Sequence, residues 1–532
     1  MEDDIVNQLI ECLPPDESYG KQYNKLIKAF KECDVDCLKH FIKLGINLNS
    51  ELFDGHSPLT LLIATTTSNM WQDIAKLFLE NGASPNKRSP KGTTVLSLLV
   101  ADGAPDLVSL ALDKGAEIEA VGASGETAVI SAVHYKKVPC LKVLLDRGAN
   151  PNVLTKEGNT AVMWAASRSN GIGAPKCLAA VKLLLQYGAD PSRCNNRGYT
   201  PLMNASLIRE TESVRALLAA GAHTEAVDFR GETALFKAVY SNCVETVIIL
   251  IKAGANVNAR CKIERTPLMV NNSYSILNIL LQNDSDTNAA DVDGYTPLHH
   301  CAISNKPQFL RVLTLHGARI NTRCNLGNTP LQIAIRSRSV DCVNYLLSKG
   351  ANVSTKNDMD VTLFHELIIP WDFFQSVNVF SIVNTPSLVQ EIQNYLAPVS
   401  DTNLEMVKEL MTKGGDCDIP SVGGVSPLML AALCGDLNLC RFLLSEGSAD
   451  PHLVDEDGRS VLCYACRGGH SSIVRLLMQK DCVVNSADKN GNLAIFYAAQ
   501  FSNMGIVDLL ILDLAFYMCY TFKKQQNGPF ES

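Results

Sequence analysis

Asp293-Gly294-Tyr295-Thr296-Pro297-Leu298-His299-His300-Cys301-Ala302 is the stretch that decides the fold, because every position fits one local design. Thr296 is an N-cap type, and Pro297 falls at the first helical position, where its fixed φ and missing N–H cost nothing. Leu298 and Ala302 share one face at i, i+4 spacing. A second helix is predicted over 308–316, with Phe309, Val312, Leu313 and His316 on one side. Gly317 supplies the left-handed conformation that ends it. Residues 318–327 then carry the polar and glycine punctuation of an extended turn.

The same design recurs about thirteen times. Thr200-Pro201-Leu202 precedes Gly221-Ala222, Thr233-Ala234-Leu235 precedes Gly254-Ala255, and Thr329-Pro330-Leu331 precedes Gly350-Ala351. The turn glycines Gly82, Gly115 and Gly148 lie 33 apart, as do Gly188, Gly221 and Gly254, then Gly317 and Gly350, then Gly414 and Gly447. A fixed period of this length predicts an all-α repeat solenoid, in which each unit buries its apolar face only against its neighbours. Small pairs such as Ala165-Ala166, Ala431-Ala432 and Ala498-Ala499 let successive helix pairs approach closely.

Composition narrows the function. The 532 residues are 46% hydrophobic and 19% charged, with a net charge of −8. That balance disfavours general affinity for nucleic acid or anionic membrane, both of which need a basic footprint. No basic n-region followed by a long apolar run opens the chain, so no secretory signal is expected. The 18 cysteines have no framework spacing, and Cys301 and Cys466 occupy slots that hold Ala in other copies. They read as small core residues of a reduced intracellular protein, cytoplasmic with the nucleus as the other compartment.

The Thr-Pro-Leu-His helix, the Leu-Leu-x-x-Gly-Ala second helix and the Asn-x-x-Asp-x-x-Gly turn resemble the ankyrin repeat across about residues 22–515. The resemblance implies helix-turn-helix units with β-hairpin-like fingers and a concave face lined by finger tips and first helices. It also implies that His299 ties neighbouring turns together by hydrogen bonds.

Departures from the repeat set the domain boundaries. Residues 1–21 form an acidic N-terminal segment, and 22–53 read as a capping repeat that lacks the Thr-Pro-Leu opening. Regular repeats follow over 54–358, with a lengthened loop at 168–175 and a short copy at 263–292 that ends in Asn283-Asp284 without Gly. The unit at 359–421 is interrupted by an insert at about 370–401, in which Trp371, Phe373, Phe374 and Phe380 crowd together. These aromatics either plug the flank of the stack or form an exposed hook for a partner. Repeats resume over 422–515, where the last helix caps the array, and 516–532 form a tail.

No phosphate loop, metalloprotease motif or nucleophile elbow is present. Cys463-x-x-Cys466 lacks the second ligand pair that zinc needs. No enzyme activity, cofactor or metal is therefore expected. One variable column, just before the Ala pair of the first helix, reads Leu61, Leu98, Ser131, Trp164, Asn204, Lys237, Val270, His300, Ile333, Glu366, Leu430, Tyr464, Tyr497. Trp164, Lys237, His300, Tyr464 and Tyr497 are its candidate partner contacts, with the loop at 168–175 as an alternative shield for Trp164. Finger-tip charge runs from Lys87, Arg88, Lys91, Arg193, Arg197, Arg260 and Lys262 to Asp291, Asp293 and Asp455-Glu456-Asp457. Arg88, Arg193 and Arg197 are further candidate contacts, since a bipolar groove would orient a partner and speed encounter more than it would add affinity; the alternative is solvated surface charge. The expected function is a monomeric protein-binding scaffold or adaptor, without nucleic-acid binding or membrane insertion. The alternative is the substrate-recognition arm of a larger protein, and a metalloprotein or enzyme is the least favoured reading.

Overall fold

The structure, a computed structural model, describes residues 35–43, 45, 47–49, 56–65, 71–123, 125–167, 174–369, 401–480, 482–513 and 515. Trp371, Phe373, Phe374 and the loop at 168–173 lie outside the described residues. Two units make up the chain, Met1–Lys262 with Thr266–Ser285, and Ile263–Arg265 with Asp286–Ser532. Each is a stack of antiparallel helix pairs, and among the described residues no strand forms. Isolated bridges such as Leu154 to Thr160 and Val454 to Ser460 are all that remains of a hairpin in the fingers.

The opening Thr does what its sequence position demands. Thr329 Oγ1 accepts from the Gln332 amide at 3.3 Å, and Gln332 Oε1 accepts from the Thr329 amide at 3.0 Å. This reciprocal cap starts helix Pro330–Arg336. The Gln332 amide group also reaches the Val361 carbonyl of the next unit. His299 plays the same part, tied to Thr296 on one ring nitrogen and to the Asn328 carbonyl, 3.1 Å away, on the other. The first helices are buried all round, as Leu428 to Leu433 are in Pro427–Cys434. The second helices bury one face, with Thr246, Val247 and Leu250 inward in Val244–Lys252.

Three irregularities change the local reading. The copy at 263–292 has no first helix: residues 267–270 form a single turn, and only Tyr274–Gln282 is helical. Asp284 takes the left-handed position there, at φ 61°. Gly447 is not left-handed; Ser448 is, at φ 53°. Gly447 is demanded by a close approach instead, since a Cβ there would meet the Leu443 carbonyl oxygen at 2.8 Å. The insert leaves the stacking register intact. His365 bonds Thr362 on one side and the Val425 carbonyl, 60 residues on, at 2.9 Å on the other. The second helix of that unit is Asp401–Thr412. Among the described residues no helix is long and apolar enough to cross a membrane.

Candidate functional site

Six of the described fingers are built around one residue whose side chain accepts amides two and four positions on. Asp228 accepts from Arg230 and Glu232 at 2.9 and 3.0 Å, and Asn195 accepts from Arg197 and Tyr199 at 2.9 and 3.0 Å. Asp291, Asn357, Asp455 and Asp488 repeat the arrangement. The variable column stands nine residues after this finger residue, and the two face each other.

Wherever the finger residue is Asp, its free oxygen is taken by the column residue. Asp228 meets Lys237 Nζ at 2.7 Å, Asp291 meets His300 Nε2 at 3.0 Å, Asp455 meets the Tyr464 hydroxyl at 2.7 Å, and Asp488 meets the Tyr497 hydroxyl at 2.5 Å. Lys237 also binds Glu232, which in turn accepts from Tyr240. Burial pulls the Lys237 ammonium down, but its two carboxylates outweigh that and raise its pKa. Burial pushes the Asp228 carboxyl up, and Lys237 and the finger amides outweigh it and hold it low. Burial followed by Asp455 pushes Tyr464 far above the ordinary phenol.

These contacts correct the expectation for four candidates. Lys237, Tyr464 and Tyr497 are buried and locked inside the protein, and His300 is largely covered with its ring on Asp291. The column is variable there because it complements the finger. Part of the acidic end of the finger tips is likewise consumed internally: Asp291 binds Arg265 and His300, and Arg459 binds Asp455 and Asp457, while Asp293 and Glu456 are exposed. Arg88 donates to the Val121 carbonyl of the next finger at 2.6 Å, and so acts as a tie.

Trp164 and Asn204 break the pattern, since Thr155 and Asn195 stand opposite them. Both line a cavity of about 460 Å³, which Arg197 lines as well. Its wall is Asn159, Met163, Trp164, Asn195, Arg197, Tyr199, Asn204, Phe229 and Arg230. Trp164 projects from helix Ala161–Ser167 and is half-buried, with the His134 ring 5.5 Å from its own. Asn195 Nδ2 donates to Asn159 at 2.8 Å, which fixes the wall between two repeats. Arg197 and Arg230 occupy the same place in successive fingers, each two residues beyond the anchoring Asn195 or Asp228. The Phe229 amide donates to the Arg197 carbonyl at 2.9 Å, so the two fingers are held in register. The Lys237 ammonium lies 4.9 Å from the centre of the Tyr199 ring, and Arg230 lies 5.3 Å from that of Phe229. The structure thus joins Trp164 and Arg197 in one place. Arg193 is exposed but outside the wall. Tyr199, Phe229 and Arg230 were missed by the sequence reading, although the 33-residue step from Arg197 to Arg230 points to the last.

Cys463 and Cys466 are buried in Val461–Gly468, and burial pushes both thiols up. Among the described residues, no group of three or more His, Cys, Asp or Glu side chains is placed to hold a metal ion.

The family model described as "Ankyrin repeats (3 copies)" matches residues 61–155, 96–192, 172–261, 267–357 and 447–518, and "Ankyrin repeat" matches 423–456. The chain belongs to the ankyrin-repeat family. Ankyrin repeats are generic protein-interaction modules, and their fold is typically non-catalytic. Among relatives, human transient receptor potential cation channel subfamily A member 1 is 27% identical over 228 residues, covering 40% of this chain and 20% of that protein. Ankyrin repeat and KH domain-containing protein mask-1 of Caenorhabditis elegans is 30% identical over 249 residues, covering 41% and 8%. The chain thus spans a fifth or less of the length of either. The crystal structure of the ankyrin repeat domain of Bcl-3 aligns at 28% identity over 43% of this chain and 99% of that one, with a TM-score of 0.37.

Proposed function

We propose that this ankyrin array is a protein-binding scaffold or adaptor and that it engages its partner at the cavity between the fingers of 195–198 and 228–231. The observation that carries this reading is the pair Trp164 and Asn204. They are column residues with no finger Asp opposite, and they open onto a walled cavity where the equivalent Lys, His and Tyr are sealed to their own fingers. A half-buried Trp beside exposed Arg is the residue chemistry of a binding hot spot. The net charge of −8 favours a protein over a nucleic acid as the partner. We place the protein in the cytoplasm as a monomer, with its buried thiols reduced. The groove would serve unchanged were the array the recognition arm of a larger protein, and the much longer matched relatives favour keeping that second reading.

Affinity capture from cell extract with the intact chain, set beside Trp164→Ala, tests the proposal. At least one protein should be recovered by the parent and depleted by the variant. Identical recovery from both would sink the reading.

A further inference from the structure

Several exposed arginines of this protein are answered by its own acids. Arg147 pairs with Asp113 at 2.8 Å, Arg215 with Glu245 at 2.9 Å, and Arg323 with Asp358 at 2.7 Å. Arg197 and Arg230 are exposed, line the cavity, and have no ion pair among the described residues. The acids of the Arg230 finger are committed elsewhere. Asp228 and Glu232 are buried on Lys237, while Glu157 on the preceding finger is exposed. Arg193 on the Arg197 finger is exposed as well.

We propose that the cavity recognises an extended acidic peptide segment, with carboxylates on Arg197 and Arg230 and an apolar side chain between them against Trp164 and Phe229. The proposal rests on the adaptor reading and adds the partner's chemistry. Two guanidiniums on rigid turns offer planar forks suited to carboxylates. Stacked helices lie about 8–10 Å apart, so equivalent positions on neighbouring fingers are separated by roughly that distance. An extended chain of the polyproline II type rises about 3.1 Å per residue and returns to the same face every third residue. The two acids of the ligand are therefore about three residues apart, with the intervening side chains free to meet the aromatic wall. Phe229 is 51% exposed, a large apolar ring left in water until something covers it. Asn204, with the side-chain amide nitrogen of Asn159, suits a peptide backbone, which needs both donors and acceptors; Asn195 is committed to its own finger and to Asn159.

Fluorescence polarisation of the full chain tests this with three fluorescein-labelled peptides. They carry Glu-Leu-Phe-Glu, Gln-Leu-Phe-Gln or Lys-Leu-Phe-Lys in one Gly-Ser flank. The acidic peptide should bind at least about tenfold more tightly than the glutamine peptide, and the gap should narrow as salt rises from about 50 to about 200 mM. The double variant Arg197→Glu, Arg230→Glu should lose the acidic peptide and gain the lysine peptide. Both changes are on exposed side chains, and an unchanged circular-dichroism melt verifies folding. Equal affinity for the acidic and glutamine peptides would overturn acid recognition while leaving the groove reading intact. No saturable binding of the acidic peptide at about 1 mM, undiminished binding to the double variant, or stronger competition by a short single-stranded DNA than by excess acidic peptide would each overturn the proposal. Failure of the adaptor reading shows separately, as unchanged protein capture by Trp164→Ala.

Discussion

Lys237→Met is the sharpest test of the claim that most of the variable column is an internal lock. Lys237 is 4% exposed and lies between Asp228 and Glu232, whose side chains are 0% and 7% exposed. Methionine keeps the aliphatic stem and removes the charge, which leaves two carboxylates facing one another in a pocket without a cation. Breaking a buried pair in this way costs about 3–5 kcal/mol. The lower end is expected, because Asp228 keeps the Arg230 and Glu232 amides and Glu232 keeps the Tyr240 hydroxyl. The deficit must also depend on pH. In the parent, Asp228 is held below its usual value, so its contribution is present at neutral pH and is lost only as pH falls through that lowered value. In the variant both carboxyls are driven upward, so the folded state takes up protons and the deficit shrinks between pH 7 and pH 5. Native-state hydrogen exchange over residues 228–241 is the right assay, since repeats open locally and a global melt dilutes the effect. Adding Asp228→Asn and Glu232→Gln to Lys237→Met should recover much of the loss. A deficit below about 1 kcal/mol at pH 7, or one equal at both pH values, would refute the lock, because a solvated partner-facing lysine costs within ±0.5 kcal/mol.

Three further outcomes follow from the same contacts. Tyr497→Phe removes the hydroxyl that binds Asp488 and should lower the stability of the last repeats by about 1.5–3 kcal/mol at pH 7, read by hydrogen exchange at the amides of 490–492. Burial pushes the Glu366 carboxyl up to about 7 against the pull of Arg336, so the fold favours the protonated form. Parent stability should therefore fall between pH 5 and pH 8, and Glu366→Gln should remove roughly 2–3 kcal/mol of that decline in urea melts; parallel pH profiles would contradict it. Gly447→Ala should destabilise by about 1–3 kcal/mol through its clash with Leu443, whereas Ser448→Gly should be neutral or stabilising by up to about 1 kcal/mol, since glycine accepts the left-handed turn at no cost. Thermal melts of the two variants should move in opposite directions.

The fold was legible because a 33-residue period needs no long-range information: the Thr caps, the glycine turns and the alternation of buried and half-buried helices are each local. Positions were read well, and roles less well. The column of Trp164, Lys237, His300, Tyr464 and Tyr497 was correctly picked out as the place where repeats differ, but difference was equated with partner contact. Side chains were weighed singly, whereas the structure pairs Lys237, His300, Tyr464 and Tyr497 each with the Asp nine before it. Cys261 with Val270 shows the apolar form of this pairing, as both pack into a cluster with Phe236 and Ala259. Gly447 shows a similar limit. Its spacing marked a turn, but the constraint on it is a carbonyl across the turn, which no spacing reveals. The missing helix at 267–270 follows Thr266-Pro267-Leu268, a start signal as good as the others, so a local signal alone did not suffice there.

That pairing makes the column informative in a different way. A repeat protein that needs only stability has no use for variation at these two positions; an apolar pair such as Cys261 with Val270 fills the place. Charge placed in a finger must be neutralised, because the amide-rich turn is covered by the next finger, and the cheapest neutraliser is whatever long polar side chain reaches from nine residues on. Lys, His and Tyr are chemically unlike but equal in that office, which explains why the column looks unconserved from copy to copy while its geometry is constant. Where that account works, no partner need be invoked. It fails at Trp164 and Asn204. Thr155 carries no charge for an indole to answer, and Asn195 is already spent on Arg197, Tyr199 and Asn159. Trp164 and Asn204, which this pairing does not account for, share one cavity with two exposed arginines that form no ion pair among the described residues, and selection by something outside the chain is a cause common to both.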